Sequence, residues 1–350
     1  MRYIPFFCCI FITFIIGSCT ENPSREKKDT TLIGMGASFP YPFYNIIFTN
    51  FIKESGIKVI SNEYSSGSAI RALQDKTIDF AGIDAYITDK ELSELPYEAL
   101  LVPTCVGGVV ITYNIPGVKN LKLTGELISD IYLQNITYWD DNAIKNINPG
   151  VELPHLPITT IYRSDGSGTS YVFSDFLSKV SPEWDLKMGK GKSLNWRSGI
   201  AVKGNIMVAS TVASIKGALG YTSLEHASFL DLPSAAIQNS SGIFIKANKH
   251  SILAAADIDF PDDMRIMITN SNNKDAYPLS CFSWILVYKN QAYNNRSIKR
   301  FENLKSLLEY ILSPDSQKVA GKITYAALPE DALKKAKKIA DSMVWQKTDS

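Results

Sequence analysis

From residue 31 onward, short apolar strand patterns alternate with amphipathic helical ones, and this alternation predicts α/β layers with a substantial parallel sheet. Leu32 to Gly34 is predicted as a strand, and Tyr41 to Lys53 as the crossover helix that follows it. The buried strand pattern at residues 78–82 ends at Asp84, and Val106 to Tyr113 is a long apolar run. Open sheets of this kind bind ligands beyond the carboxyl ends of their strands.

Three predicted strand-to-helix turns are rich in hydroxyl and glycine residues. They are Gly-Met-Gly-Ala-Ser-Phe-Pro at 34–40, Tyr-Ser-Ser-Gly-Ser at 64–68 and Tyr-Arg-Ser-Asp-Gly-Ser-Gly-Thr at 162–169. Backbone N–H groups at a helix start have no partner inside the helix, and the helix dipole adds partial positive charge there. One such turn alone is what an ordinary N-cap requires. Three of them together with Arg163 predict a small, desolvated oxyanion held by several parts of the fold.

Several catalytic and metal motifs fail on their spacing. Ser167 lies in Asp-Gly-Ser-Gly-Thr, which does not fit the Gly-x-Ser-x-Gly nucleophile elbow. Gly191-Lys192-Ser193 lacks the glycine that a P-loop needs five positions earlier, where the chain has Leu186. No Cys/His cluster has metal-ligand spacing, and the three histidines are scattered at His155, His226 and His250. We therefore expect no metal, no cofactor and no enzymatic activity.

The charge balance of the chain gives little long-range steering. Lysine and arginine number 36 against 35 acidic residues, and 45% of the 350 residues are hydrophobic. This balance offers no electrostatic case for a nucleic-acid partner or for an anionic membrane surface. The apolar content suffices for one large domain or two of medium size. A small anion would have to be captured by local geometry.

The N-terminus has the pattern of an export signal. Arg2 precedes an apolar run from Tyr3 to Ile16, which is too short for a transmembrane helix, and Gly17-Ser18-Cys19 follows. Small residues before a cysteine are similar to the lipobox of bacterial lipoproteins. We predict a signal peptide over 1–18, lipidation of Cys19 and a polar tether over 19–30, with an ordinary cleaved signal as the alternative.

Cys8 and Cys9 would leave with the signal peptide. The remaining cysteines, Cys105 and Cys281, lie in apolar strand-like runs, which favours buried free thiols. An export compartment also permits a single disulfide between them, and the sequence does not give their separation.

An ordered set of short motifs resembles the phosphate-binding protein of bacterial phosphate ABC transporters. The set begins with the turns at 34–40 and 65–67, Asp-Phe-Ala-Gly-Ile-Asp at 79–84 and Gly-Gly-Val-Val at 107–110. It continues with Asn-Ile-Pro-Gly at 114–117, Arg-Ser-Asp-Gly-Ser-Gly-Thr-Ser at 163–170, Lys-Gly-Asn at 203–205 and Gly-Ala-Leu-Gly-Tyr at 217–221. Matching stretches cover nearly all of residues 31–340.

The resemblance implies a fold, a ligand and a set of site residues. The fold is a type II two-lobed periplasmic-binding-protein fold, each lobe a mostly parallel sheet flanked by helices, with the ligand in the cleft between them. Residues 31–108 and 279–350 would form lobe I, and 109–278 lobe II. The implied phosphate ligands are Ser38, the Phe39 amide, Ser65, Asp84, Arg163, Ser167, Gly168 and Thr169, with Asp165 orienting Arg163. The chain departs from the family at Tyr64, where a glycine is usual; a Cβ there restricts the backbone of the turn.

Asp84 is the unexpected member of this set, because a carboxylate repels an anion unless the ligand brings a proton to share. Monobasic and dibasic phosphate carry such a proton, and sulfate at neutral pH carries none. A site built around a ligand O–H rejects an analogue that lacks it. We therefore interpret Asp84 as a specificity filter and Arg163 as the counter-charge.

The functional prediction is a monomeric, lipid-anchored receptor in the cell envelope, periplasmic or extracytoplasmic. It would bind inorganic phosphate and deliver it to the permease subunits of an ABC importer in the inner membrane. The lipid on Cys19 would anchor it to the membrane. Three alternatives remain: a sulfate or molybdate type of oxyanion receptor, a surface interaction protein that retains the fold, and a phosphoester hydrolase. The lack of a metal cluster in the sequence weighs against the hydrolase.

Overall fold

The computed structural model describes residues 30–347; the predicted signal peptide, Cys19 and all but the last residue of the tether lie outside them. The strands are β1 (Leu32–Ala37), β2 (Val59–Tyr64), β3 (Phe80–Ile83), β4 (Ala99–Tyr113), β5 (Lys122–Leu123), β6 (Thr159–Arg163), β7 (Ile200–Val202), β8 (Ala218–Ser223), β9 (Ala236–Gln238), β10 (Phe244–Ile245) and β11 (Ser280–Tyr288). The helices are α1 (Tyr41–Ser55), α2 (Ser66–Gln74), α3 (Asp89–Ser93), α4 (Gly125–Tyr132), α5 (Asn142–Ile147), α6 (Gly168–Val180), α7 (Pro182–Lys187), α8 (Asn205–Ser214), α9 (Leu224–Phe229), α10 (Lys249–Ala254), α11 (Ile298–Ile311), α12 (Pro314–Lys322) and α13 (Glu330–Asp341).

Within residues 30–347 the main sheet has eight strands in the order β2-β1-β3-β11-β4-β8-β6-β7. β1 pairs in parallel with β2 and β3, and β6 pairs in parallel with β7 and β8, as the alternating pattern predicts. β4 and β11 run antiparallel to their neighbours, so the complete sheet is mixed. A small sheet of β10, β9 and β5 lies beside it.

The long strand β4 joins two halves of the main sheet. Its residues up to Gly108 pair with β11, and from Val109 onward it pairs with β8. We call the half that contains β1, β2, β3 and β11 lobe I, and the half that contains β6, β7 and β8 lobe II. The fold is therefore two-lobed, and the parallel strands of each lobe end at the cleft between them.

Aromatic and branched side chains fill the core on both faces of the sheet. All nine residues of β11 are buried, and the buried tryptophans are Trp139, Trp184 and Trp284. In lobe II the rings of Phe173 and Tyr221 stack with centroids 4.2 Å apart. The Tyr221 hydroxyl contacts the turn at 162–169, which we call the arginine loop. Cys105 and Cys281 are buried and unpaired on the adjacent strands β4 and β11, which confirms the prediction of free thiols.

Most predicted elements are present, with shifted ends. The predicted strand beginning at Val106 is the end of a longer strand, because the apolar residues from Ala99 onward extend β4 past Pro103. The Gly-, Lys- and Ser-rich segment at 189–204 contains the short strand β7. Among residues 30–347, no helix is long and apolar enough to cross a membrane.

Candidate anion-binding site

The three hydroxyl-rich turns meet at the cleft, as the sequence predicts. The turns at the ends of β1 and β2 begin helices α1 and α2 in lobe I, and the turn after β6 begins α6 in lobe II. The start of a further helix of lobe II, α8, joins them through Asn205. Backbone N–H groups in the first turn of each helix have no intrahelical partner. The cluster can thus offer donors from several directions to one small anion.

Asp84 is a buried carboxylate between the lobes. Its Oδ1 accepts a hydrogen bond from the hydroxyl of Ser66, the first residue of α2. Its Oδ2 accepts from Thr169 Oγ1 in lobe II at 2.8 Å. Burial raises the pKa of Asp84, and the hydrogen bonds from Ser66 and Thr169 and the charge of Arg163 oppose that shift. A carboxylate oxygen can accept more than one hydrogen bond, so Asp84 retains the capacity to accept one from a ligand that carries a proton.

Arg163 is the buried cation of the cluster; its side chain is 1% exposed. Its Nε and Nη2 donate to the two oxygens of Asp165 at 2.7 and 2.6 Å, a bidentate pair. Its Nη1 donates to Ser38 Oγ across the cleft at 3.2 Å. The backbone N–H of Arg163 donates to the hydroxyl of Tyr221 at 3.1 Å. Asp165 therefore holds the guanidinium through two of its N–H groups and leaves others for a ligand.

Ser38 lies at the centre of the contacts between the lobes. Its Oγ accepts hydrogen bonds from Arg163 and from both the backbone N–H and the side-chain amide of Asn205, the latter at 3.0 Å. Its own N–H donates to the carbonyl of Tyr64 at 3.1 Å. Because nitrogen donors occupy its lone pairs, the Ser38 hydroxyl hydrogen is available to an acceptor such as an anion oxygen.

Two further predicted residues of lobe I lie beside this serine. Phe39 is buried, and its carbonyl accepts a hydrogen bond from the hydroxyl of Tyr325, which fixes the turn between β1 and α1. Ser65 is the N-cap of α2; its Oγ accepts from the N–H of Ser68 at 3.2 Å and donates to Ser68 Oγ. In this conformation the Ser65 side chain thus caps the N-terminus of α2.

The departure at Tyr64 leaves the turn intact. Tyr64 ends β2, and its φ does not lie in the left-handed region. Its side chain is 49% exposed and its carbonyl holds the N–H of Ser38. The backbone at Tyr64 is extended, and a residue with a Cβ readily adopts that conformation.

The arginine loop of lobe II has the predicted helix start. Ser167 is the N-cap of α6, with its Oγ accepting from the N–H of Ser170 at 3.2 Å. Gly168 brings the start of α6 close to lobe I, since a Cβ built there would lie 1.9 Å from Asp84 Oδ1. The next residue, Thr169, holds that carboxylate. Only glycine allows the first turn of α6 to come so near to Asp84.

Some residues of the cluster were not predicted as ligands. Asn205 donates from its side chain to Ser38 and to Thr169 Oγ1, so it joins β1 to α6. Ser66 holds Asp84, although the predicted ligand from that turn was Ser65. The hydroxyl of Tyr221 supports Arg163 and Ser170. Asn205 and Ser66 belong to the motifs Lys-Gly-Asn and Ser-Ser-Gly that carry the family resemblance. The motifs did not indicate which residues these two side chains contact.

The electrostatics of the site depend on dipoles more than on net charge. Asp165 neutralises Arg163, and Asp84 adds a buried negative charge. Glu63 lies nearby; burial raises its pKa, and the charge of Arg163 opposes that shift. Burial and the charge of Arg163 lower the pKa of His226 to about 4, which keeps that imidazole neutral at physiological pH. Hydroxyl and amide donors must therefore supply most of the attraction for an anion.

Comparisons with known proteins agree with this architecture. A family model described as PBP superfamily domain matches residues 21–315. The phosphate-binding protein PstS of Xylella fastidiosa strain 9a5c is 35% identical over 326 residues, which cover 91% of this chain and 87% of that protein. PstS of Methanocaldococcus jannaschii is 33% identical over 350 residues, covering 93% of this chain and 90% of that protein.

Solved structures show the same fold at lower identity. A high affinity periplasmic phosphate-binding protein, solved with bound phosphate, superposes with a TM-score of 0.71 at 18% identity, covering 88% of this chain and 93% of that one. An ABC-type phosphate transport receptor from Vibrio cholerae gives a TM-score of 0.56 at 18% identity, covering 85% and 100%.

The two-lobed α/β fold, with polar groups converging from both lobes on the cleft, defines the class of substrate-binding proteins. The family match and the extent of the sequence identity then fix the family. This chain belongs to the PBP superfamily and, within it, to the family of the PstS phosphate-binding proteins.

Proposed function

We propose that this protein is the extracytoplasmic receptor that binds inorganic phosphate and delivers it to an ABC-type import permease. Relatives that the chain matches over about nine tenths of its length are named phosphate-binding proteins. The similar structure from Vibrio cholerae is described as a phosphate transport receptor. The proposed role is binding and release, with no chemical step.

The observation that carries the proposal is the presence of both a buried carboxylate, Asp84, and a buried guanidinium, Arg163, where the two lobes meet. Both are buried, and hydroxyl and amide donors surround them. A buried cation oriented by Asp165 attracts an anion, whereas a buried carboxylate repels an anion that carries no proton. The combination favours an anion that is both charged and protonated. Phosphate near neutral pH is such an anion.

The ligand set we propose comprises donors from both lobes and one acceptor. The proposed ligands are Ser38, the Phe39 amide, Ser65, Arg163, Ser167, Gly168 and Thr169, and the acceptor of the phosphate proton is Asp84. Asn205 and Ser66 position these groups. Each charge-assisted hydrogen bond contributes about 1.5–3 kcal/mol, and the sum must offset the desolvation of the anion and the ordering of two lobes.

Because the proposed ligands divide between the lobes, phosphate should hold them closed. We propose residues 31–108 and 279–350 as lobe I and 109–278 as lobe II. The change of partner of β4 between Gly108 and Val109 and the start of β11 at Ser280 support these boundaries. Hinge closure of this type presents a loaded binding protein to its partner.

The N-terminal pattern supports a membrane attachment for this receptor. We propose that the signal peptide over 1–18 is removed and that Cys19 carries lipid, with the polar segment after it as the tether. The intact mass of the protein purified from membranes tests this point. A lipid adduct on an N-terminal Cys19 is expected, and an unmodified N-terminus would contradict the anchor.

Equilibrium dialysis of the purified, anion-stripped protein against radiolabelled phosphate tests the proposed function. We expect saturable binding with one phosphate per chain and a dissociation constant in the micromolar range or below, equivalent to about 8 kcal/mol or more. Arg163→Ala is the matched negative control, because it removes the buried cation. A folded wild-type protein that binds no phosphate would contradict the proposal and would favour an interaction role for the fold.

A further inference from the structure

A second set of contacts crosses between the lobes next to the anion site. Lys192 of lobe II donates from its ammonium to both carboxylate oxygens of Glu91 on α3, at 2.7 Å each. Beside this ion pair, the rings of Tyr86, which follows β3, and Tyr171 on α6 meet edge to face at 6.1 Å. Lys192 Nζ also lies 5.7 Å from the centre of the Tyr171 ring. We call these four residues the clasp.

Lobe I orders the acidic partner of the clasp by itself. Thr88 is the N-cap of α3, and it donates to Glu91 Oε2 from its N–H at 2.9 Å and from its hydroxyl at 3.0 Å. The N–H of Glu91 donates back to Thr88 Oγ1, which completes a capping box. Exposed ion pairs contribute little because two free side chains must be ordered. In this ion pair Thr88 already orders the Glu91 side chain, so only Lys192 must be ordered when the pair forms.

The basic partner is linked directly to the arginine loop. The N–H of Ser167 donates to the carbonyl of Lys192 at 2.8 Å. Ser167 caps α6, and Gly168, which follows it, lies close to Asp84. The residue whose side chain reaches Glu91 thus also holds the turn that faces the anion.

The clasp is partly desolvated. The Lys192 side chain is 10% exposed and that of Glu91 is 26% exposed. Burial by itself raises the pKa of Glu91, but the charge and hydrogen bonds of Lys192 and Thr88 bring the pKa below its usual value. Charges interact more strongly at the lower effective dielectric of such a site than in bulk water. Opening of the cleft would separate this pair.

We propose that the clasp sets the lifetime of the closed, anion-bound state, and that Lys192 and Glu91 are positioning residues for the bound anion. The inference rests on the proposed phosphate-binding function. The clasp forms only when the lobes meet, so it slows opening and release, whereas phosphate enters the open cleft before the clasp exists.

Stopped-flow kinetics of phosphate binding and release, measured on the purified protein, tests this proposal. We expect Lys192→Met and Glu91→Gln each to speed release by about 5- to 20-fold with association nearly unchanged, since interaction changes of this kind act mainly on dissociation. The double variant should release phosphate no faster than the single ones, because both remove the same interaction. Lys187→Met is the matched control, since it removes an ion pair with Glu183 inside lobe II.

A thermal readout separates the clasp from a general structural role. In both clasp variants the melting temperature of the anion-free protein should match the wild type, and the phosphate-bound form should melt lower than the wild-type complex. Wild-type release rates in Lys192→Met and Glu91→Gln, with phosphate binding intact, would overturn the clasp. Equally fast release in Lys187→Met would also overturn it. Absence of phosphate binding by the wild type would instead overturn the proposed function.

Discussion

Thr169 Oγ1 donates a hydrogen bond of 2.8 Å to Asp84 Oδ2, and this contact joins the first turn of α6 in lobe II to the end of β3 in lobe I. The same carboxylate receives the hydroxyl of Ser66 from its own lobe. A single buried acid is therefore held by both lobes. A substitution that changes the charge or the length of the Asp84 side chain should therefore change lobe closure, phosphate affinity and selectivity against sulfate together.

Replacing Asp84 with asparagine should weaken the discrimination between phosphate and sulfate. The asparagine side chain would retain the shape of the aspartate but would lose the charge that repels an unprotonated anion. Sites that recognise a ligand O–H reject analogues by about 10⁴- to 10⁵-fold, and we expect Asp84→Asn to lose at least about 100-fold of that ratio. Competition binding with the two anions measures it. An unchanged ratio would remove Asp84 as the filter.

The same substitution should affect stability in a pH-dependent way. Burial raises the pKa of Asp84 in the folded protein. Below the unfolded pKa the carboxyl is protonated in both states and the full stability is present; as the pH rises through the folded pKa, ionisation of the buried carboxyl lowers the free energy of unfolding. At neutral pH the buried charge is a cost, and Asp84→Asn should raise the melting temperature of the anion-free protein. Calorimetric scans should show this gain shrinking as the pH falls through the pKa of Asp84. A gain in melting temperature that grows toward acid pH would contradict the raised pKa of Asp84.

A methyl group at position 168 should prevent full closure. In Gly168→Ala the new Cβ would fall 1.9 Å from Asp84 Oδ1, whereas in Gly166→Ala the nearest heavy atom would be 3.5 Å away. We expect Gly168→Ala to weaken phosphate binding by about 100-fold or more, equivalent to about 2.7 kcal/mol. Gly166→Ala should bind almost normally. Calorimetric titration of both variants measures the difference, and equal affinities would contradict the closed geometry.

Asn205 should prove necessary although it need not contact phosphate. Its side chain positions Ser38 and Thr169 through hydrogen bonds of 3.0 and 3.1 Å. Neutral hydrogen bonds contribute about 0.5–1.5 kcal/mol each, so Asn205→Ala should raise the dissociation constant by roughly 10-fold. Asn62→Ala, at an exposed position of β2, is the control. A titration in which both variants match the wild type would show that Asn205 has no part in the site.

The local features of the fold and site could be predicted from the sequence. The turn at 163–169 caps α6 as expected, because Ser167 has the side chain that a helix start requires and Gly168 follows it. The free state of Cys105 and Cys281 followed from their apolar surroundings. These outcomes depend on neighbours within a few residues along the chain.

Features set by distant contacts could not be predicted in the same way. Asn205 meets Ser38 from 167 positions away, and nothing in Lys-Gly-Asn specifies that contact. The strand β7 has only three residues, too few for an alternating pattern, and it forms because β6 offers it an edge. The antiparallel setting of β11 follows from the return of the chain to lobe I.

The most direct test of the central claim is a calorimetric titration of the anion-stripped wild-type protein, first with phosphate and then, on a fresh sample, with sulfate at the same pH and ionic strength. The buried acceptor Asp84 and the buried cation Arg163 together predict one tight phosphate site and no measurable sulfate heat. Sulfate binding of similar strength would contradict the claim that Asp84 selects a protonated anion.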